Sequence, residues 1–142
     1  MIVAIEAGVI LAVIGGAPEA SRRATRALEQ TARKATALAI CAPVYAELLA
    51  FPKWTEADLE AFVAETKIRV DWNLPQEVWS DAGRALAAYV RRRSRNGRGS
   101  ARHELADFVV GAHARAVGSL LTGNAAFYKV SYPDLKVIAV ER

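Results

Sequence analysis

Cysteine is nearly absent from this sequence, and so are long apolar runs. The chain of 142 residues contains one cysteine, Cys41, which excludes an internal disulfide. Cys41 lies in the apolar run ALAICA and is expected to be a buried, small hydrophobic residue, in keeping with a reducing cytoplasm. No apolar run reaches the roughly 20 residues that a membrane span needs, since Glu6 interrupts the N-terminal run. We therefore expect a cytoplasmic protein with no membrane partner, and the length predicts one domain over residues 1–142.

The motifs of several enzyme classes are missing too. The sequence has no glycine-rich phosphate loop, no Cys/His spacing typical of zinc sites and no serine nucleophile elbow. Acidic residues are absent between Arg84 and His103, where seven arginines lie, although acids outnumber bases in the rest of the chain. The net charge of +4 is therefore concentrated in one segment, which favours an anionic partner there.

Strands are predicted to alternate with helices along the whole chain. Short apolar runs indicate buried strands, and longer stretches with one polar face indicate helices. The predicted strands are IVAI (2–5), TALAIC (36–41), IRVDW (68–72), SLLT (119–122) and LKVIAV (135–140). Such alternation is typical of a parallel sheet covered on both faces, so we expect an α/β protein with a three-layer α/β/α fold and a central parallel sheet of about four to five strands.

Two predicted helices carry apolar stripes. The expected core positions are Ala24, Leu28 and Ala32 in the helix after Pro18, and Leu105, Phe108, Val109 and Ala112 in the helix of HELADFVVGAHA (103–114). Glu104, Asp107 and Gly111 share another side of the second helix. Gly111 is expected to let another backbone or a ligand approach closely, because it has no side chain.

Acidic and amide residues are expected to meet at one edge of the sheet. Glu6 comes directly after IVAI, and Glu47 lies one turn into the helix after TALAIC. Asn124 follows the end of SLLT, and Asp107 lies early in the helix that leads to that strand. The functional crevice of an open parallel sheet lies beyond the carboxyl ends of its strands. Converging carboxylates repel one another and are best held around a hard divalent cation, for which oxygen ligands suit Mg²⁺ or Mn²⁺.

Each of these residues also has an ordinary structural explanation. Asp107 suits the N-terminus of a helix through its dipole, and Glu47 could be an exposed helix residue. Glu6 is harder to explain in this way, because a charge between two apolar runs is costly to bury without a partner.

The order and spacing of these motifs resemble a PIN domain, specifically the toxin ribonuclease of VapBC-type toxin–antitoxin pairs. Residues 102–140 are similar to the family's ending, in which an acid precedes a small-residue helix and an apolar strand closes on Thr-x-Asp or Thr-x-Asn. An aromatic residue, a proline and a last strand follow in the same order. APVYAELLA (42–50) and MIVAIEAGVILAVI (1–14) resemble the segments with the second and first family acids, so the similarity spans nearly the whole chain.

The resemblance implies a single PIN-like domain over residues 1–142 and a Mg²⁺- or Mn²⁺-dependent endoribonuclease that a cognate VapB-like antitoxin holds inactive. Matched position by position, Glu6, Glu47 and Asp107 are the three principal acids, and Asn124 takes the fourth, more variable position. Glu6 and Asp107 are then the metal ligands, Glu47 and Asn124 complete the catalytic site, and Thr122 and Glu104 support it.

The expected substrate is RNA, either tRNA or another structured RNA. The arginines expected to guide its phosphates are Arg91, Arg92, Arg93, Arg95, Arg98 and Arg102. The first three would equally suit the C-terminus of a helix through its dipole. His103 is a further candidate for phosphate contact, whereas His113 is expected on the far side of its helix from Asp107.

Protein partners are expected as well. The short helix AGVILAVIGG and the helices around Ala24–Ala32 and Ala57–Val63 offer apolar surface, which predicts a groove for an antitoxin segment and self-association as a homodimer. The resemblance implies that an antitoxin arginine reaches the carboxylates in place of a metal.

Two departures from the family pattern leave the activity open. The first acid is normally Asp, where this chain has Glu6, and the fourth is often Asp, where it has Asn124. A displacement of about 1 Å can lower a rate on the order of a hundredfold. Three alternatives therefore stay open: an enzyme that is active through a compensating shift, a weakly active enzyme, or a catalytically weakened domain that acts mainly as a protein- or RNA-binding partner. A phosphoacceptor signalling domain fits less well, since no acid pair follows the first strand.

Overall fold

Five parallel strands form the centre of the computed structural model, which describes residues 1–96 and 103–141, the side chains of 95 and 96 excepted. The strands are β1 (Ile2–Ile5), β2 (Ala37–Cys41), β3 (Arg69–Asp71), β4 (Gly118–Thr122) and β5 (Lys136–Ala139). The helices between them are α1 (Ala7–Gly15), α2 (Pro18–Lys34), α3 (Ala42–Leu49), α4 (Glu56–Thr66), α5 (Gln76–Asn96), α6 (Leu105–Val117) and α7 (Ala125–Ser131). The predicted strands and the three-layer α/β/α fold are confirmed. Within the described ranges, no helix combines the length and apolarity that a membrane crossing requires.

The strand order β3-β2-β1-β4-β5 places β1 in the middle of the sheet. The chain builds outward from β1 to one side through β2 and β3, and later to the other side through β4 and β5. The carboxyl ends of β1 and β4 therefore flank a topological switch point, the place where open α/β sheets bind ligands. Ile5 pairs with Leu121, and the Glu6 N–H donates to the Leu121 carbonyl at 3.1 Å, so Glu6 and Thr122 follow side by side.

The core lies on both faces of this sheet, and it corrects two predicted helix stripes. Ala24 and Leu28 are buried as expected, but Thr31 rather than Ala32 completes the stripe of α2. At 3.6 residues per turn, a spacing of seven residues stays on one face, whereas eight residues turn it away. On α6 the expected core residues are buried except Leu105, which is 50% exposed because it begins the helix.

Gly111 of α6 does permit a close approach, but neither a backbone nor a ligand uses it. A side chain at this position would collide with the ring of Tyr132, which is buried against the helix. The glycine therefore serves packing within the chain.

The helix α7 was not predicted from the sequence. It lies between β4 and β5 and brings Tyr128, one of the largest fully buried side chains, under the edge of the sheet.

Candidate functional site

Glu6 leaves the end of β1 and is held by two hydroxyl groups. The Thr122 hydroxyl donates to Glu6 Oε1 at 2.6 Å, and the Tyr128 hydroxyl donates to Oε2 at 3.0 Å. The Thr122 hydroxyl in turn accepts the backbone N–H of Asn124 at 2.9 Å, which orients it toward Glu6. The Glu6 charge is tolerated between two apolar runs because each carboxylate oxygen accepts a hydrogen bond.

Asp107 reaches the same edge because α6 runs back along the sheet before β4. The helix ends at Val117 and the strand begins at Gly118, so no loop separates them. From Asp107 to Val117 the helix rises roughly 15 Å, which is close to the roughly 16 Å over which a five-residue strand such as β4 extends. Asp107 therefore lies near the level of Thr122, at the carboxyl end of the strand.

Asp107 also has the ordinary role that its position in the first turn suggests. Its Oδ2 accepts the backbone N–H of Glu104 at 3.1 Å, which satisfies one of the free N–H groups at the start of α6. The His103 ring nitrogen Nδ1 lies 3.2 Å from the same oxygen. Oδ1 has no hydrogen-bond partner among the described residues. Asp107 can therefore cap α6 through Oδ2 and still contribute Oδ1 to the candidate site.

Glu47 is brought to the site by α3, which follows β2 directly and packs against α1 and α6. Although Glu47 is exposed, surrounding protein partly desolvates its carboxyl group, and this desolvation raises its pKa. The negative charges of Asp107 and Glu6 raise the pKa further. The structure thus brings the three predicted acids within electrostatic reach of one another.

The pKa of Tyr128 also responds to the negative charge of the three acids. Burial raises the pKa of its hydroxyl group, and the charges of Glu6, Asp107 and Glu47 raise it further. The hydroxyl group therefore stays protonated at neutral pH and can only donate to Glu6. Tyr128 was missed in the sequence, where an aromatic residue in an apolar context predicts core packing. The available signal was Asn124 followed by AAFY, a start typical of a helix.

The other predicted site residues lie around this group. Asn124 is exposed and immediately precedes α7, and its side chain makes no cap hydrogen bond. Thr122 is fully buried, whereas Glu104 is exposed at the N-cap of α6.

The basic segment contacts the site through aromatic rings. The guanidinium carbons of Arg92 and Arg93 each lie 5.9 Å from the centre of the Tyr89 ring. The Tyr89 hydroxyl accepts the backbone N–H of His103 at 2.9 Å, and the His103 ring stacks on Phe127 at 3.7 Å. Arg91 is exposed nearby on α5. Arg98 and Arg102 lie outside the described residues, as does the side chain of Arg95.

His113 and Cys41 have structural roles and do not belong to the candidate site. The His113 Nε2 lies 2.7 Å from Asp71 Oδ2, and Arg69 binds the same carboxylate. Burial raises the pKa of Asp71, but the hydrogen bonds and charges of Arg69 and His113 together outweigh this effect and lower it. His113 thus fastens α6 to the edge strand β3. Burial raises the pKa of the Cys41 thiol to about 11, so it is an inert core residue, as predicted.

The carboxylates supply the oxygen ligands that a hard divalent cation prefers, but they are not already arranged around a cation position. In the part of the chain that the structure describes, no group of three acidic, histidine or cysteine side chains is arranged to hold a metal ion. Each Glu6 oxygen accepts one hydrogen bond and retains a second lone pair, and Asp107 Oδ1 is open. The excess negative charge that raises the pKa of Glu47 is what a cation would offset.

Comparison with known proteins identifies the fold. No protein-family profile and no curated protein match the sequence. A chain in the crystal structure of VapBC2 from Rickettsia felis, bound to a DNA fragment from the promoter, is similar with a TM-score of 0.71 and 20% identity, covering 99% of this chain and 100% of that chain. A chain in the structure of VapBC-1 from nontypeable Haemophilus influenzae is similar with a TM-score of 0.67 and 17% identity, covering 100% of both chains. The chain therefore has the PIN-like α/β/α fold found in these VapBC structures.

Proposed function

We propose that the protein is the toxin of a VapBC-type pair and acts as a metal-dependent endoribonuclease on tRNA or another structured RNA. The observation that carries this proposal is the convergence of Glu6, Glu47 and Asp107 at the switch point of the sheet, where burial and the charges of the other two acids raise the pKa of Glu47. Acids that converge at the ligand-binding edge of a sheet are typical of functional sites, because repulsion between like charges does not stabilise a fold. The fold shared with the two VapBC structures supports the same assignment.

The chain's own residues account for most of the proposed chemistry. Glu6 and Asp107 are the residues that would hold Mg²⁺ or Mn²⁺, which when bound lowers the pKa of water and offsets phosphodiester charge. Thr122 and Tyr128 keep Glu6 in place, and Glu104 orients Asp107. Glu47 and Asn124 orient the attacking water. The raised pKa of Glu47 makes its carboxylate a stronger proton acceptor than an ordinary glutamate.

RNA binding is assigned to the arginines at the end of α5 and in the segment after it. Those arginines, Arg91, Arg92, Arg93, Arg95, Arg98 and Arg102, precede His103 along the chain. The connection from Arg92 and Arg93 through Tyr89 to His103 supports this assignment, because His103 contacts Asp107. Phosphate groups held at the arginines would lie beside the carboxylates.

A VapB-like antitoxin is the proposed protein partner. A cavity of about 320 Å³ lies between α1, α2 and the ends of β4 and β5. Val9, Ala12 and Ala24 give it an apolar wall, and Glu6, Arg23 and Glu141 add charge, so it suits an antitoxin segment with both apolar and charged side chains. An antitoxin arginine in this cavity would lie beside Glu6 and take the place of a metal. Failure of the neighbouring gene product to co-purify would contradict this partner.

Homodimerisation is proposed on the basis of exposed aromatic surface. Trp72 and Trp79 are 56% and 48% exposed, so each presents a large apolar ring that a second copy of the chain would cover. Sedimentation velocity should show a dimer at high protein concentration, and a strict monomer would contradict the proposal.

The ribonuclease proposal is tested by cleavage of a mixed tRNA pool in the presence of Mn²⁺. Asp107→Asn should abolish cleavage, because it removes a charged ligand while keeping the shape of the side chain. Asp134→Asn is the matched control, since Asp134 is 62% exposed and pairs with Arg115 away from the site. Equal cleavage by the wild type and Asp107→Asn would indicate a contaminating nuclease and refute the proposal.

A binding protein with weakened catalysis is the second candidate. The observation that favours it is that both Glu6 oxygens are engaged by hydroxyl groups and no three ligands are arranged for a metal among the described residues. Glu6→Asp distinguishes the two candidates: activity falls if the pocket is adjusted to glutamate and rises if the site is a degraded aspartate site. No cleavage by the wild type or either variant favours the binding protein.

A further inference from the structure

A second cavity lies farther along the same face of α2 and is not used by the proposed function. Its volume is about 380 Å³, and it lies between α2 and the edge strand β5. Its floor includes Val3, Ala27 and Ile138, and its rim includes Arg23, Arg26, Lys34 and Lys136. We call this surface the α2–β5 groove.

Three of the four basic side chains of the groove come from one face of α2. Arg23, Arg26 and Lys34 are spaced by three and eight residues, and Ala27, Gln30 and Thr31 line the cavity between them. These positions follow the i, i+3, i+4, i+7 pattern of one helix face. From Arg23 to Lys34 this face extends roughly 16 Å along the helix. The groove is therefore a long basic channel rather than a point contact.

The charge of the groove is poorly neutralised. Arg23 pairs with Glu19 at 3.3 Å, but Arg26, Lys34 and Lys136 form no ion pair among the described residues and are exposed. One acid, Glu141, is among the groove's lining residues. Unpaired cations over an apolar floor suit an anionic chain whose sugar or base faces contact the floor.

The groove is continuous with the candidate site. Arg23 and Glu141 line both the α2–β5 groove and the cavity that contains Glu6. The arginines of α5 approach the carboxylates from the side of α6, whereas the groove begins on the side of α1 and α2. An RNA strand cleaved within its length leaves the site in two directions, and the α5 arginines serve one of them.

We propose that the α2–β5 groove binds the phosphate backbone of substrate RNA on the second side of the cleavage position. This inference rests on the proposed ribonuclease function for the direction of the strand, but it concerns binding and is tested without cleavage. An acidic peptide would satisfy the same cations. The continuity with the Glu6 cavity favours RNA, because a substrate strand must occupy both surfaces at once.

The test compares two variants that each remove three positive charges. The groove variant, Arg26→Gln/Lys34→Gln/Lys136→Gln, removes three positive charges from the rim of the groove. The control variant, Arg22→Gln/Arg33→Gln/Lys129→Gln, removes three exposed positive charges that do not line the groove, two of them also from α2. Both are made in the Asp107→Asn protein so that RNA stays intact. Fluorescence anisotropy with the labelled tRNA pool gives the dissociation constant at several salt concentrations, and melting temperatures check folding.

The groove variant should bind tRNA about 10- to 100-fold more weakly near 0.1 M salt, with a salt dependence smaller by roughly two to three released counterions. The control variant should change affinity less than about threefold. Equal losses in both variants, or tRNA binding absent from the parent protein, would overturn the proposal. So would a groove variant that loses binding of a polyglutamate peptide but not of tRNA, since the groove is then a protein interface.

The two proposals can fail separately. If tRNA binding depends on the groove but the wild type never cleaves with Mn²⁺, the groove stands and the ribonuclease function falls. If the wild type cleaves and the groove charges change neither cleavage nor binding, the function stands and the groove is refuted.

Discussion

Replacing Tyr128 by phenylalanine isolates the hydrogen bond that positions Glu6. The substitution removes one hydroxyl group, which lies 3.0 Å from Glu6 Oε2, and keeps the buried ring. A hydrogen bond to a charged group contributes about 1.5–3 kcal/mol, which is roughly 10- to 150-fold in an equilibrium constant. Thr122 still donates to the other oxygen, so the expected loss is at the lower end: about tenfold in Mn²⁺ affinity and in tRNA cleavage.

Tyr132→Phe is the matched control for this prediction. Tyr132 is also almost fully buried, and its hydroxyl donates to the Phe108 carbonyl at 2.7 Å rather than to an acid of the site. Losing this neutral hydrogen bond should lower the free energy of unfolding by about 1 kcal/mol and leave Mn²⁺ affinity unchanged.

Isothermal titration calorimetry with Mn²⁺, together with thermal melts, separates the two effects. The reasoning predicts that the affinities of the two tyrosine variants diverge even if their melting temperatures fall equally. It is refuted if Tyr128→Phe binds Mn²⁺ as the wild type does, because Glu6 is then held in place without that hydroxyl group.

Two further substitutions test the electrostatics and the packing. Partial burial and the charges of Asp107 and Glu6 raise the pKa of Glu47 above its ordinary 4.5. The folded, metal-free protein therefore holds this proton more tightly than the unfolded chain does, and its stability should fall as the pH rises from 4.5 through the raised pKa. Glu47→Gln should therefore melt about 1–3 °C higher than the wild type near pH 7, with no difference near pH 4, and a pH series of thermal melts that shows no such divergence contradicts the predicted repulsion. Gly111→Ala should destabilise by about 1–3 kcal/mol in urea unfolding, because the new methyl group meets the buried Tyr132 ring. Gly83→Ala, which places a methyl group in open space on α5, should instead stabilise by roughly 0.5–1 kcal/mol, and equal effects of the two would refute the packing argument.

The strands were predictable because their signal is local. Each is a short apolar run between turn or helix signals, and an acid that follows such a run has a known position at the sheet edge. This is why the sequence predicts Glu6 and Glu47 at one edge of the sheet, and Asp107 joins them because it lies early in the helix that leads to β4. The Glu104–Asp107 contact is local as well, since it joins residues three positions apart.

The strand order and α7 depend on contacts that are distant in sequence. The pairing of β1 with both β2 and β4 is decided by packing across the whole sheet, and no short motif encodes it. Tyr128 was missed for a related reason, because its apolar ring and its polar hydroxyl group predict different roles. Only the position of Glu6 decides between them.

The hydrogen bonds that hold Glu6 also determine when during synthesis the candidate site can form. Its partners Thr122 and Tyr128 are 116 and 122 residues away along the chain. Such long-range contacts form late in folding, since the entropy of closing a large loop is lost before the contacts contribute any stabilising free energy. At about 5–20 residues per second, a ribosome makes β1 many seconds before the segment that contains β4 and α7. The nascent chain therefore cannot hold Glu6 in its final position until the segment that contains β4 and α7 has been made.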